Sequence, residues 1–131
     1  MAKRKNANEQ LKAWMDGISN MNLSRKEKEH SVDFSTFLIK EWAFERGLHH
    51  AEPSKQMLKL GEEYGELCEA IAKNKKTEVA KDAIGDMYVV LVILSMQLEV
   101  DIEECIALAY EEIKDRKGKT VNGVFVKEED L

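Results

Sequence analysis

The stretch GEEYGELCEA, residues 61–70, carries four glutamates in ten positions. Two of them, Glu63 and Glu66, are three residues apart, so their carboxylates share one side of a helix. Further along, Asp82 and Asp86 are four residues apart and share a face that continues into apolar residues. Acids at the edge of an apolar helix are costly unless they are paired or bound to metal. Because no histidine or cysteine belongs to this set, it suits a hard cation, Mg²⁺ or alternatively Mn²⁺.

Ordinary explanations of these acids stay open. A run of glutamates is typical of a solvated helix face, where neighbouring like charges repel only weakly. The aspartates have their own alternative, which is pairing with Lys75 or Lys81 or stabilising the start of their own helix. The metal hypothesis points to phosphate chemistry, since Mg²⁺ in proteins usually keeps waters and reaches substrate phosphates.

Two helices must position the acids. Pro53 suits the first turn of a helix that runs to about Lys73. The predicted apolar stripe of that helix is Met57, Leu60, Tyr64, Leu67, Cys68 and Ile71. The next helix is predicted over about 78–99, and its segment 84–98 is apolar on nearly every side, as in a helix buried all round. The short NKK connection requires antiparallel packing, which brings the two acid pairs together.

Other segments complete an all-α prediction. A weak N-terminal helix is predicted over residues 8–19, a second helix over 31–47 with Gly47 at its C-terminal end, and a last one from Asp101 to about Lys117. Near the end of the chain, Asn122-Gly123 predicts a tight turn.

The predicted architecture is a four-helix bundle with the extra N-terminal helix. Residues 1–30 are predicted to form an extension, and residues 31–131 the main domain. Because a small chain offers few neighbours to the apolar helix, a second copy should cover part of it. A homodimer or a dimer of dimers is therefore expected.

Composition limits the class of partner. A net charge of −5 over 131 residues argues against a basic footprint for nucleic acid. The apolar run MYVVLVILSM, residues 87–96, is too short to span a bilayer. Cys68 and Cys105 lie in helical patterns with no signal peptide before them, which predicts buried thiols rather than a disulfide. The expectation is a cytoplasmic protein with no membrane or nucleic-acid partner.

The motif KLGEEYGELCEAI followed by KDAIGDMYVVLVILSMQL resembles the all-α nucleoside triphosphate pyrophosphohydrolases of the MazG type, relatives of dimeric dUTPases and dCTP pyrophosphatases. The resemblance covers roughly residues 35–126, and the small phage and bacterial members are the most similar. The family pattern is Glu-x-x-Glu, a spacer, then Glu-x-x-Asp. Glu63 and Glu66 match the first pair and Asp86 matches the final aspartate, but Ala83 stands at the third acid position.

This resemblance implies cleavage of a nucleoside triphosphate between the α and β phosphates, giving a monophosphate and pyrophosphate. It implies Mg²⁺ that bridges the phosphates and polarises a water molecule. The implied metal ligands are Glu63, Glu66, Asp82 and Asp86, with Asp82 substituting for the missing acid at Ala83 and Glu62 as the alternative. Glu62 or Glu63 is the expected general base that takes the proton of the water.

Substrate contacts are expected from two further regions. Lys114, Arg116 and Lys117 could hold phosphates, although cations also favour a helix C-terminus without any ligand. Trp42 and Gln56 are candidates for stacking on and hydrogen bonding to the base, with a core position as the ordinary explanation of Trp42.

Two other functions remain open from the sequence. The first is a nucleotide-binding or regulatory bundle that is catalytically weak, suggested by Ala83. The second is a structural or DNA-associated helical dimer, which the acidic net charge disfavours.

Overall fold

The computed structural model describes residues 9, 12, 13 and 16 and the continuous segment 31–131. The chain divides into two compact units, the first ending at Glu99 and the second running from Val100 to Leu131. The four described residues within the weak helix predicted at 8–19 are helical, and the rest of that prediction lies outside the described residues.

The all-α fold class is confirmed, because residues 31–131 contain four α-helices and only a two-stranded sheet. In the first unit these are α1 (Val32–Glu45), α2 (Pro53–Ala72) and α3 (Thr77–Gln97), with a 3₁₀ turn at Leu48–His50. The second unit holds α4 (Ile102–Ile113), β1 (Gly118–Val121), β2 (Val124–Lys127) and a 3₁₀ turn at Glu128–Asp130.

Local signals set several helix ends. Ser31 caps α1 by accepting a hydrogen bond from the backbone of Phe34, and α1 ends beside Gly47, whose φ of 67° is left-handed. Pro53 begins α2, as predicted. Asp101 caps α4 through the backbone N–H of Glu103. These ends are encoded within a few residues, so sequence reasoning located them closely.

The second unit departs from the prediction in one respect. Its last helix stops at Ile113, short of Lys117, because the chain then enters an antiparallel hairpin in which Val121 pairs with Val124. The predicted turn is confirmed. Asn122 and Gly123 both have positive φ, 49° and 80°, as a two-residue hairpin turn of this kind requires.

The core of the first unit lies along the C-terminal half of α3. Ala43, Ile93 and Met96 form its centre, with Leu48 and Val89 packed against them. A hydrogen bond also ties α1 to α3. The Thr36 hydroxyl donates to the Val32 carbonyl at 2.7 Å, which leaves the Tyr88 hydroxyl to donate to Thr36 at 2.5 Å.

The face of α2 that turns inward differs from the predicted stripe. The buried or half-buried positions are Pro53, Gln56, Leu60, Glu63, Leu67 and Ala70. Cys68 is exposed, and Met57, Tyr64 and Ile71 are 55, 60 and 72% exposed, so the predicted stripe is correct only at Leu60 and Leu67. The periodicity of α2 permits two adjacent faces, and packing against α3 selects the one that contains Glu63.

The expectation that α3 is buried all round also needs correction. Val90 and the run 92–96 are buried within the chain itself. Ile84, Leu91 and Leu98 are 57, 41 and 58% exposed, at intervals of seven residues. No single helix of the described residues is long and apolar enough to cross a membrane alone, and α3 and α4 meet that criterion only when counted together.

Candidate functional site

Glu63 is the centre of the acidic face between α2 and α3. It is only 4% exposed, yet it carries a carboxyl group. One of its oxygens, Oε1, lies 3.2 Å from the Lys59 ammonium nitrogen, whereas Oε2 is buried without a hydrogen-bond partner among the described residues. A buried carboxylate with one unsatisfied oxygen is costly, so such groups are found where a ligand or cation completes the site.

Lys59 is the cation that pairs with this carboxylate among the described residues. Its Nζ also lies 3.3 Å from Oε2 of Glu62, which is one residue before Glu63 and faces solvent. Hydrogen bonds to Glu63 and then to Glu62 raise the pKa of Lys59 above its usual value. Sequence reasoning did not select Lys59, although its i, i+4 spacing to Glu63 is the pattern of an intrahelical ion pair.

Asp86 brings α3 into the same site. Removal from water raises the pKa of Asp86, and the charges of Glu63 and Asp82 raise it further, while Lys59 acts in the opposite direction. The acids of α2 and α3 therefore influence one another across the helix pair. Glu63 and Asp86 come from the two helices of this pair, α2 and α3.

Position 83 is buried and carries an alanine in place of an acid. Ala83 is 2% exposed, so an acid there would also be buried. Asp82, one residue earlier, is exposed, as is Glu66 one turn after Glu63. The structure thus places the predicted ligands at different depths, with Glu63 inside and Glu66, Asp82 and Asp86 at the surface.

The predicted ligands fit a hard divalent cation in their chemistry, because all of them are carboxylates, and Oε2 of Glu63 has no hydrogen-bond partner among the described residues. Their side chains, however, do not lie close enough together to surround a metal ion. No three His, Cys, Asp or Glu side chains of the described residues are grouped closely enough to hold a metal ion. Metal binding would therefore require these side chains to move. Lys59 lies against Glu63, which is one of the predicted ligands, and against Glu62, which is the alternative ligand.

The residues expected to contact a base lie in the first unit. Trp42 is 46% exposed, with the Arg46 guanidinium 4.3 Å from the centre of its ring, so a core role for Trp42 is wrong. Gln56 is on the inward face of α2, and its Oε1 is buried without a hydrogen-bond partner among the described residues. Gln56 and Glu63 are seven residues apart, about two helical turns on the same face.

The cations expected to bind phosphates lie in the second unit, at and beyond the end of α4. Lys114 pairs with Glu111 and Arg116 with Glu112, each at 2.7 Å. A cavity of about 550 Å³ is lined by Glu112, Arg116, Lys117, Lys127, Glu128 and Glu129. Its lining mixes acids with cations, and Arg116 is already engaged there.

The two cysteines are free, as predicted, but the expectation that they are buried is wrong. Cys68 and Cys105 are both exposed. Cys68 lies on the outer side of α2, because α2 packs through the face that contains Glu63. That face is rotated by one residue from the predicted stripe, which contains Tyr64.

Comparison with known proteins identifies the family. Residues 39–118 match the phosphoribosyl-ATP pyrophosphohydrolase family, and the chain belongs to it. This is a family within the MazG-like all-α pyrophosphohydrolase superfamily, so the resemblance in the acid motif is confirmed at that level. The match includes the whole of α2, α3 and α4.

One curated relative is the "uncharacterized 18.2 kDa protein in rep-hol intergenic region" of Haemophilus phage HP1 (strain HP1c1). It is 52% identical over 64 residues, which cover 48% of this chain and 39% of the phage protein. The chain thus spans about two-fifths of the length of that relative. No solved structure matches this chain.

Proposed function

We propose that this protein is a Mg²⁺-dependent hydrolase that cleaves nucleoside or deoxynucleoside triphosphates between the α and β phosphates, giving a monophosphate and pyrophosphate. The observation that carries the proposal is the buried Glu63, whose unpartnered oxygen lies in the helix pair that also holds Asp86. Membership of a pyrophosphohydrolase family supports the same reaction type. The family name adds phosphoribosyl-ATP as a further candidate substrate.

Glu63, Glu66, Asp82 and Asp86 are the proposed metal ligands, with Mg²⁺ preferred and Mn²⁺ as an alternative. When bound, the metal neutralises phosphate charge and polarises a water molecule. Glu62 is the proposed general base, because it is solvent-exposed and lies beside the buried Glu63. Glu63 is the alternative base, through the oxygen that has no partner among the described residues.

The remaining contacts orient the substrate. Trp42 offers an exposed aromatic face for stacking, and the buried Oε1 of Gln56 offers an acceptor for an N–H group of the base. Lys114, Arg116 and Lys117 are proposed to bind phosphates, which requires Arg116 to exchange Glu112 for the ligand.

We also infer that the protein assembles with itself, as a homodimer or a dimer of dimers. Apolar side chains remain exposed at intervals of seven residues along both long helices. They are Met57, Tyr64 and Ile71 on α2, and Ile84 and Leu91 on α3 with Leu98 at its C-terminal cap. That spacing is typical of helices that pack against other helices over several turns. A reducing, cytoplasmic location without membrane or nucleic-acid partners is proposed, in keeping with two free cysteines.

A second candidate is a catalytically weak nucleotide-binding or regulatory bundle. It is favoured by Ala83, which is buried where the family pattern has its third acid. Pyrophosphate release with Mg²⁺, measured across canonical and modified nucleoside triphosphates and phosphoribosyl-ATP, separates the two candidates. Saturable release lost in Glu66→Gln supports the hydrolase. Nucleotide binding without release supports the second candidate.

A further inference from the structure

The Lys59 ammonium lies against two carboxylates of very different exposure. It is 3.2 Å from Glu63 and 3.3 Å from Glu62, and these two side chains are 5 and 64% exposed. The Lys59 side chain itself is 51% exposed, so it reaches from solvent to a buried acid. Lys59 is therefore the cation that balances the charge of Glu63 on its Oε1 side.

The position of Lys59 overlaps the proposed metal site. Its ammonium nitrogen lies within 3.3 Å of carboxylate oxygens of both Glu62 and Glu63, in the place where the proposed function puts a divalent cation. Oε2 of Glu63 has no hydrogen-bond partner in the part of the chain that the structure describes, so this one ammonium does not satisfy the whole carboxylate.

We propose that Lys59 is an internal countercation of the acidic site, which holds Glu63 in the absence of metal and must leave it before a divalent cation binds there. Two cations at one carboxylate repel each other strongly in a partly buried site. Lysine suits this exchange, because its flexible stem carries a compact charge that can move into solvent. Since the proposed function makes Glu63 a metal ligand, this role of Lys59 rests on that function.

An ordinary surface ion pair would behave differently. The chain contains such a pair for comparison, because Glu69 binds both Lys73 and Lys75 while its own side chain is 44% exposed. Exposed pairs are screened by water and contribute little. Lys73→Met is therefore a matched control for Lys59→Met. Each variant removes a lysine that pairs with a glutamate of α2 four positions away, which is Glu63 for Lys59 and Glu69 for Lys73.

The test is Mn²⁺ affinity of the full chain without nucleotide, measured by electron paramagnetic resonance of free Mn²⁺. We expect Lys59→Met to bind Mn²⁺ on the order of tenfold or more tightly than wild type, because the variant lacks the ammonium charge that repels a second cation at the same carboxylate. Lys59→Arg, which keeps the charge, and Lys73→Met should bind like wild type. Circular dichroism and thermal melting establish that each variant is folded.

A second measurement uses the wild-type protein and does not depend on a variant. Mn²⁺ should increase the rate at which an amine-reactive acetylating reagent modifies Lys59, followed by mass spectrometry, and should leave Lys73 unchanged. Unaltered labelling of Lys59 on Mn²⁺ binding overturns the proposal, as does unchanged or weaker Mn²⁺ affinity in folded Lys59→Met.

The outcomes also separate this inference from the proposed function. Tighter Mn²⁺ binding in Lys59→Met with no nucleotide hydrolysis by wild type would support the countercation and contradict the hydrolase. Hydrolysis by wild type with equal Mn²⁺ affinity in both proteins would overturn the countercation alone.

Discussion

The two compact units differ in whether a charged side chain is buried. In the first unit, Glu63 is buried, and its Oε2 has no hydrogen-bond partner among the described residues. In the second unit, the cations lie at the surface, and Lys114 and Arg116 already pair with glutamates. Within Val100–Leu131, Ile102 is the one buried residue. A bound ligand would therefore be stabilised most at the buried carboxylate, and the number of charged side chains at the surface does not locate such a site.

The largest expected effect comes from placing a charge in the core of the first unit. Ile93→Lys should unfold the protein, because an uncompensated buried charge costs roughly 3–5 kcal/mol, a large part of the stability of a small domain. Ile93 is 4% exposed and packs with Ala43 and Met96. Loss of the helical circular dichroism signal is the measurement, and a cooperative melt near that of wild type would contradict the core assignment.

The matched variant for that experiment is Leu91→Lys, since Leu91 lies on the exposed side of α3. We expect it to stay folded and to dissociate the oligomer, as measured by light scattering at micromolar concentration. A wild-type protein that is already monomeric under those conditions would refute self-association.

The next effect concerns catalysis. Glu66→Gln should lower pyrophosphate release by about a hundredfold or more, because it removes a charge proposed to hold the metal that stabilises the transition state. Glu66 is exposed, so the helices should survive the change. Glu69→Gln, one turn further along the exposed part of α2, serves as the control. Equal turnover in Glu66→Gln and wild type would remove Glu66 from the site.

Asp82 tests what replaces the acid missing at position 83. If Asp82 is a ligand, Asp82→Asn should raise the Mg²⁺ concentration for half-maximal activity on the order of tenfold. If it only pairs at the surface, the change should be small, because exposed ion pairs contribute at most about 1 kcal/mol. Superimposable Mg²⁺ titrations would exclude Asp82 and turn attention to Glu62.

Arg116 tests whether the second unit binds the substrate phosphates. Arg116→Met should raise KM roughly tenfold with little change in kcat, since a hydrogen bond to a charged group contributes about 1.5–3 kcal/mol. Glu112→Gln provides the converse, because it releases Arg116 from its 2.7 Å ion pair and should lower KM. Steady-state kinetics at saturating Mg²⁺ measure both. An unaffected KM in the two variants would place the phosphates elsewhere.

The smallest effect is expected at the exposed pairs of Glu69. Lys73 and Lys75 lower the pKa of Glu69 to about 2. A lowered folded-state pKa contributes stability above the unfolded value near 4.5, and this contribution disappears as the pH falls through about 2. Glu69→Gln should therefore melt slightly lower than wild type at pH 7, and the difference should shrink as the pH falls toward 2. A difference of the same size at pH 7 and pH 2 would assign the effect to packing.

The sequence by itself determined the helices and their ends. The start of α2 at Pro53, the end of α1 beside Gly47, the cap at Asp101 and the turn at Asn122-Gly123 depend on neighbouring residues only. The acid pairs were also evident from their spacing. Predicted ends differed from the structure mainly at α4, where the hairpin after Ile113 interrupts a pattern that could have continued as helix.

Tertiary structure decided which face of each helix became the interior. The apolar residues of α2 are compatible with two faces, and contact with α3 turned Glu63 inward while leaving Tyr64 and Cys68 outside. The same packing buried the acid that Lys59 meets through its i, i+4 spacing, and it buried position 83, which holds an alanine. Helix formation follows from bonds within a segment, whereas burial depends on the shape and polarity of the neighbouring segment, which no local pattern contains.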